Sequence, residues 1–388
     1  MKELITVEQA RAFILGDRFE PAAFRDLDLR PLASLIEAKD FGASLFLGCD
    51  LEPSSICHLA AGGAYIIPDI KEFSFPVHRS RLYTADELFL GFDPDVPDSH
   101  LKTLDHRVYL EYVAAGRQFS ESIQVTLARR LHDHSITEAL EHMLKGRRVV
   151  AIMGGHGMER RDPRYLEVAR LARRLTQDGY LLVSGGGPGA MEATHVGAFF
   201  ATRSEEDMSR AVMSMSVRPA EARPNTEYAD ADWLERAWRM RAEYPVPPGD
   251  EKKCESIGIP TWTYGHEPPA LFASHIAKYF ANSVREDGLL TIANHGVVFA
   301  PGSAGTIQEI FQEACQNHYF VVEDRCSPMI LLGKEYWTVD KPVWPLLSHL
   351  ANGQMYGELL YLTDCIEAVI RKLSSYRPEL YVKPMTRL

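Results

Sequence analysis

Short, wholly apolar runs alternate along the second half of the chain with longer segments whose apolar residues recur every three or four positions. Arg147-Arg148-Val149-Val150-Ala151-Ile152-Met153, Tyr180-Leu181-Leu182-Val183, Gly296-Val297-Val298-Phe299-Ala300 and Met329-Ile330-Leu331-Leu332 are too short for helices. They lack polar alternation and so predict strands covered on both faces. Ala211-Val212-Met213-Ser214-Met215-Ser216 reads as a further strand. Asp162-Pro163 supplies an N-cap and a proline in the first turn, and Tyr165, Leu166, Val168, Ala169, Leu171, Ala172 and Leu175 share one broad face of the helix that follows. Further helices are expected from Ala190 to about Phe200, from Ala270 to Asp287, from Thr306 to about Asn317, and near 342–350 and 364–374. Strands and helices in this alternation predict an α/β fold with a doubly wound parallel sheet.

The first part of the chain is less regular. Residues 1–100 mix short apolar runs with turn-rich stretches and support no more than an α+β assignment. Residues 101–144 look helical, with Ser135-Ile136-Thr137-Glu138 as a capping box that opens a last helix. The expected organisation is an accessory α+β and helical region over 1–140, then a ligand-binding α/β domain over 141–388 that carries a proline-rich insertion at about 217–268.

Composition narrows the function classes. Of the 388 residues 46% are hydrophobic and 24% charged, as in ordinary globular proteins, and the net charge of −11 disfavours nucleic acid polymers and anionic membranes as partners. No apolar stretch approaches the length of a membrane span, and the N-terminus lacks the pattern of a secretory signal, so a cytoplasmic location is expected. The six cysteines are scattered without a C-x-x-C pair, which predicts free thiols and no bound metal.

Three glycine-rich turns fall at the carboxyl ends of predicted strands, where doubly wound sheets bind ligands. In Ser184-Gly185-Gly186-Gly187-Pro188-Gly189 the backbone turns tightly, and a helix starting at Ala190 and Met191 adds unpaired N–H donors. The product is an anion cradle suited to phosphate. Pro301-Gly302-Ser303-Ala304-Gly305-Thr306 repeats the arrangement, with Glu309 three residues beyond Thr306. Two roles are open for Thr306 and Glu309: a capping box that only stabilises the helix, or contact with a ligand. Gly154-Gly155-His156-Gly157 is a poor dinucleotide fingerprint, because Arg160 stands where the third glycine is needed.

Ser184 to Glu192, an arginine on a helix and Pro301 to Glu309 together resemble the LOG ("lonely guy") family, whose members were once labelled lysine decarboxylases. The resemblance spans about residues 147–335, and the chain's length and insertion place it nearer the longer bacterial nucleoside 5′-monophosphate nucleosidases than the short cytokinin enzymes. It implies a Rossmann-like fold and hydrolysis of a nucleoside 5′-monophosphate to free base and ribose 5-phosphate, without cofactor or metal. It further implies Glu309 as catalytic acid, Arg285 as its catalytic partner, and Gly185, Gly186, Gly187, Gly189, Ala190, Met191, Gly302, Ser303, Ala304, Gly305 and Thr306 as phosphate-binding positions. Ser303 replaces a family glycine, and Glu286 stands where many members have lysine. A non-catalytic nucleotide-binding or sensing protein on the same fold is the alternative these departures raise. A pyridoxal phosphate decarboxylase is disfavoured, since no lysine sits in a context that points to a Schiff base.

Family members assemble about a two-fold axis, and Phe272, Ile276, Phe280 and Val284 would share one face of a helix over 270–287, so a homodimer or higher homo-oligomer is expected. Trp233, Trp238 and Tyr244 are candidates to stack on a base, although packing is the commoner use of such residues. His266 and Glu267 are candidates for the base pocket, and Arg236, Arg239 and Arg241 read as a solvated face.

Overall fold

In the computed structural model, residues 1–16, 20–70, 72–218, 223–230, 232–265, 269 and 271–384 are described. His266 and Glu267 therefore lie outside the described residues. The chain forms two compact units, one of Met1–Leu82 with His106–Met143 and one of Tyr83–Asp105 with Leu144–Leu388. Among the described residues no helix is long and apolar enough to cross a membrane.

The first unit carries a parallel sheet with strands in chain order, β1 (Lys2–Leu4), β2 (Ala22–Arg25), β3 (Leu45–Leu47) and β4 (Tyr65–Ile67). Helices α1 (Val7–Leu15), α2 (Ala33–Ile36) and α3 (Pro53–Ala61) connect successive strands. Its core is aromatic, with Phe24 stacked on Phe46 at 4.5 Å and Phe41 edge-on to both. The irregular sequence hides this regular α/β arrangement because each strand has only three or four residues. After α4 (Ala85–Leu88) and α5 (Leu104–Ala114), α6 runs unbroken over Ile123–Leu144. No helix opens at Ser135. Its hydroxyl donates to Leu131 O at 2.9 Å and accepts from Arg25 Nη1 at 2.8 Å, and so is spent within the helix and on β2.

The second unit holds seven strands: β5 (Val149–Met153), β6 (Leu181–Ser184), β7 (Ser256–Gly258), β8 (His275–Ile276), β9 (Val297–Phe299), β10 (Met329–Leu332) and β11 (Leu360–Thr363). Their order is β11-β10-β9-β5-β6-β7-β8 and every pairing is parallel, a Rossmann-like doubly wound sheet. The chain runs outward from β5 through β8, then returns to the other side of β5 with β9. The switch point therefore lies between β5 and β9, which sets the crevice at their carboxyl ends. All of β5 and β6 is buried, as continuous apolar strands require. Helix α7 (Pro163–Gln177) starts as its sequence predicts, with Asp162 accepting from Arg164 N. It packs on α8 (Ala190–Phe199), where a Cβ on Gly197 would collide with the α7 backbone.

Three expected elements differ. Residues 211–215 belong to helix α9 (Glu205–Met215), with Ser216 as its C-cap. The helix is capped by Ser204 and acidic in its first turn, with Met208, Ala211, Val212 and Met215 buried at helical spacing. The insertion is shorter than 217–268, because the chain folds α10 (Trp233–Glu243) and rejoins the sheet at Ser256. The helix expected over 270–287 is not formed; Ala270 lies outside the described residues. Leu271, Phe272, Ala273, Ile276, Ala277, Tyr279 and Phe280 are all buried, an all-round covering that suits the β8 edge rather than a one-faced helix. Helix α11 begins only at Asn282 and runs to Thr291, so Phe272, Ile276 and Phe280 form no helical face for dimer contact. Helices α12 (Ala304–Tyr319), α13 (Trp344–Ala351) and α14 (Ile366–Ser375) complete the unit.

A buried charge network ties the first glycine turn to the insertion. Arg160 makes a two-pronged bond to Glu192 at 2.6 and 2.9 Å, donates to Trp233 O and stacks over the Trp233 ring. Its backbone N–H donates to Glu227, and Tyr165 donates to Glu192 at 2.8 Å. Burial works against the guanidinium's charge, but Glu192, Tyr165 and Glu227 hold its proton more tightly than usual. The residue that spoils the dinucleotide fingerprint is thus a core anchor. Either Arg160→Met or Glu192→Met leaves an unpaired buried charge and lowers the unfolding free energy by about 3–5 kcal/mol in denaturant titration. The double variant recovers much of that loss, and single variants within about 1 kcal/mol of wild type contradict the assignment.

Candidate functional site

The three glycine turns follow β5, β6 and β9, neighbours in the sheet, and the backbone knits them together. Ala300 N donates to Met153 O at 2.8 Å, Gly155 N to Pro301 O at 3.1 Å and Ala190 N to Gly155 O at 3.1 Å. Gly189 has φ +72°, and any Cβ there would press into the Gly155 and His156 carbonyls. A Cβ on Gly302 would strike the Thr306 side chain, and Tyr336 fixes this turn by donating to Gly302 O at 2.6 Å. Ser303 has φ −108°, so its position makes no demand for glycine.

Between the turns lies a cavity of about 370 Å³. Gly185, Gly186, Gly187 and Met191 line it from the second turn, and Ser303, Ala304, Gly305 and Thr306 from the third. Arg285 and Glu309 reach it from α11 and α12. Gly189, Ala190 and Gly302 do not line it. The Ala190 N–H, expected to face an anion, is spent on Gly155 O, so these three hold the turns together instead.

Helix α12 begins at Ala304, with Ser303 as an N-cap that makes no side-chain bond. Thr306 is therefore the third helical residue and not a cap, which excludes the capping box. Among the described residues the N–H groups of Ala304, Gly305 and Thr306 have no acceptor in the chain. Three open donors on the cavity wall, at the positive end of a 16-residue helix, form an anion site.

One turn further along, Glu309 is partly buried, and among the described residues nothing hydrogen-bonds its carboxylate. Burial raises its pKa to about 7, the charge of Arg285 opposes the rise, and Glu286 adds to it. Arg285 donates from Nη2 to Asn282 Oδ1 at 2.9 Å and lies 6.0 Å from the Tyr264 ring. Its Nε is buried and among the described residues has no hydrogen-bond partner. The site thus joins an anion pocket, a cation and a carboxylate with raised proton affinity.

The remaining wall residues are not among the expected binding positions, although His156 lies in the first glycine turn and Glu286 directly follows Arg285. His156, Pro260, Thr261, Tyr264, Glu286 and Gln308 also line the cavity. Tyr264 reaches it from a loop held by buried Trp262, which donates to Asp105 at 3.1 Å and stacks on Phe280 at 4.4 Å. The aromatics singled out for base stacking are elsewhere: Trp233 under Arg160, Trp238 against Phe89 and Phe92, Tyr244 against Phe200. Arg239 and Arg241 pair with Asp95 and Asp86, and Arg236 with Glu227, Asp230 and Asp232. Among the described residues no lysine lines the cavity.

No protein-family model and no curated protein matches the sequence. Among solved structures, the chain is similar to the molybdenum cofactor binding protein from the phototrophic bacterium Rippkaea orientalis, with 16% identity and a TM-score of 0.37 over 59% of this chain and 96% of that one. It is similar also to the molybdenum cofactor carrier protein from Chlamydomonas reinhardtii, with 13% identity and a TM-score of 0.35 over 59% and 99% of the two chains. Similarity at this level carries nothing about ligand or activity.

The raised pKa of Glu309 has a measurable consequence for stability. Between about pH 4.5 and 7 the folded chain holds a proton on Glu309 that the unfolded chain has released. That contribution is present in full below the lower value and is lost as pH rises through the upper one. Glu309→Gln buries no charge, so it should melt a few degrees above wild type at pH 8 and match it at pH 4. Identical melting at both pH values contradicts the environment described for Glu309.

Proposed function

We propose that the protein hydrolyses the N-glycosidic bond of a nucleoside 5′-monophosphate, releasing free base and ribose 5-phosphate. The observation that supports this most is the meeting, in one cavity, of the open α12 N–H groups with Glu309 and Arg285. In this account the phosphate rests on Ala304, Gly305 and Thr306 and on the turn Gly185–Gly187. That anchoring places the ribose beside Glu309 and uses binding energy remote from the reacting bond to fix its position. As the C1′–N bond breaks, the ribose gains oxocarbenium character and the base carries away the bonding electron pair. Ionised Glu309 stabilises the cation and takes a proton from the attacking water, whose oxygen bonds to C1′. The base gains a proton, so the net addition is one water. Arg285 holds phosphate or ribose oxygens and, through its charge, favours the ionised form of Glu309. The likeness of both glycine turns to the LOG phosphoribohydrolases supports the same conclusion.

Four outcomes test this account. Monophosphates should bind more tightly than the matching nucleosides, and equal affinity for AMP and adenosine in calorimetry would rule out the phosphate cradle. For the free enzyme, kcat/KM should rise with pH through a single ionisation near 7, because the carboxylate is the working form. Glu309→Gln keeps the side chain's size but removes its charge, so turnover should fall by about 10²–10⁴ with little change in ground-state binding. Arg285→Ala should reduce both. Wild-type turnover in Glu309→Gln refutes the catalytic role.

A further inference from the structure

Glu286 and Gln308 form a second pair beside the catalytic one. Each is a sequence neighbour of its counterpart, Glu286 following Arg285 on α11 and Gln308 preceding Glu309 on α12, and all four line the cavity. Gln308 Nε2 donates to Glu286 Oε2 at a long 3.4 Å, and Asn282 Nδ2 donates to Glu286 Oε1 at 2.7 Å. Asn282 in turn accepts from Arg285, so the carboxylate is oriented by the same residue that steadies the arginine. Among the described residues no Lys, Arg or His lies within 4 Å of the Glu286 carboxylate. An ionised carboxylate accepts about four hydrogen bonds and donates none, so Glu286 keeps acceptor capacity on the cavity wall.

A cavity built for an anion gains nothing from an uncompensated carboxylate at the phosphate end, where like charges repel. The negative group therefore suits the uncharged end of the ligand, and Tyr264, 42% exposed and lining the same cavity, is an aromatic ring available to a base. We infer that Glu286, with Gln308, selects the base, favouring one with an exocyclic amino group over its oxo counterpart. The amino group donates to the carboxylate, and the adjacent ring nitrogen accepts from the Gln308 amide. An oxo group at that place would set its lone pairs against those of Glu286. Adenine and cytosine present the favoured pattern, hypoxanthine and uracil the disfavoured one.

This inference rests on the cavity being a nucleoside monophosphate site, and its test separates the two. The readout is the ratio of kcat/KM for CMP over UMP and for AMP over IMP, in wild type, Glu286→Gln and Glu286→Lys. A ratio within each pair removes the general effect of Glu286 on Glu309, which is common to both substrates. Wild type should favour the amino base by roughly tenfold or more. Glu286→Gln should narrow the ratio, and Glu286→Lys, which replaces an acceptor with a donor, should move it toward the oxo base. Wild-type ratios near one, or a Glu286→Lys variant that melts normally and keeps the wild-type preference, overturn the assignment. If no monophosphate is cleaved, hydrolysis is refuted separately, and the CMP and UMP dissociation constants measured by calorimetry on the same three proteins decide the role of Glu286.

Discussion

Close approach of backbone to backbone at the ends of β5, β6 and β9 is the constraint on which the rest of the site depends. A Cβ on Gly155 would lie 3.2 Å from Gly302 Cα, and one on Gly154 2.6 Å from Ala190 Cβ. Side chains at these points would force the three turns apart. With them excluded, Gly155 can accept from Ala190 and donate to Pro301, and the second and third turns are held at a fixed spacing. The cavity wall is consequently built on strand ends and main-chain hydrogen bonds, which position donors more rigidly than free loops.

Electrostatic balance follows from this frame. The start of α12 faces the crevice with its first N–H groups unpaired, which favours an anion, while the same helix carries Glu309 one turn deeper into a partly desolvated position. Desolvation raises its proton affinity and Arg285 pulls it back, leaving the carboxyl near the point where it can both release and accept a proton around neutrality. Arg160 and Glu192 serve the frame from below. Their buried pair occupies the base of the first turn and binds Trp233 and Glu227, so the insertion is fastened to the core rather than appended to it.

Of the strands in the second sheet, β5, β6, β9 and β10 were legible in sequence as unbroken apolar runs. Strand β7, although buried, was hidden inside the expected insertion because Ser256-Ile257-Gly258 has only one large apolar residue. Val149–Met153 and Leu181–Val183 carry no competing helical pattern, and the glycines after them mark the turns. Short polar-apolar stretches misled: Ala211–Ser216 alternates like a strand, yet Ser204 and three acidic residues upstream start a helix that runs through Met215 and is closed by Ser216. Phe272, Ile276 and Phe280 recur every four residues, but complete burial of the intervening Ala273, Ala277 and Tyr279 removes the one-sided face that spacing implies. Glu309, Arg285 and most of the turn residues were legible as neighbours on one cavity wall because they belong to local motifs. Tyr264 and Tyr336 were not, since each reaches the site through tertiary packing of a loop or a distant segment. Gly189, Ala190 and Gly302 show a subtler failure: the motif marks them correctly as necessary, but their N–H groups or tight contacts serve the frame rather than the ligand.

The central claim is that this cavity adds water across a C1′–N bond. It is tested most directly by incubating the wild-type protein with AMP, CMP, GMP and UMP in ¹⁸O-labelled water, and weighing the products by mass spectrometry at early times. The account predicts free base together with ribose 5-phosphate that carries one labelled oxygen at C1. Release of labelled inorganic phosphate with the nucleoside intact, or recovery of all four monophosphates unchanged, would contradict it.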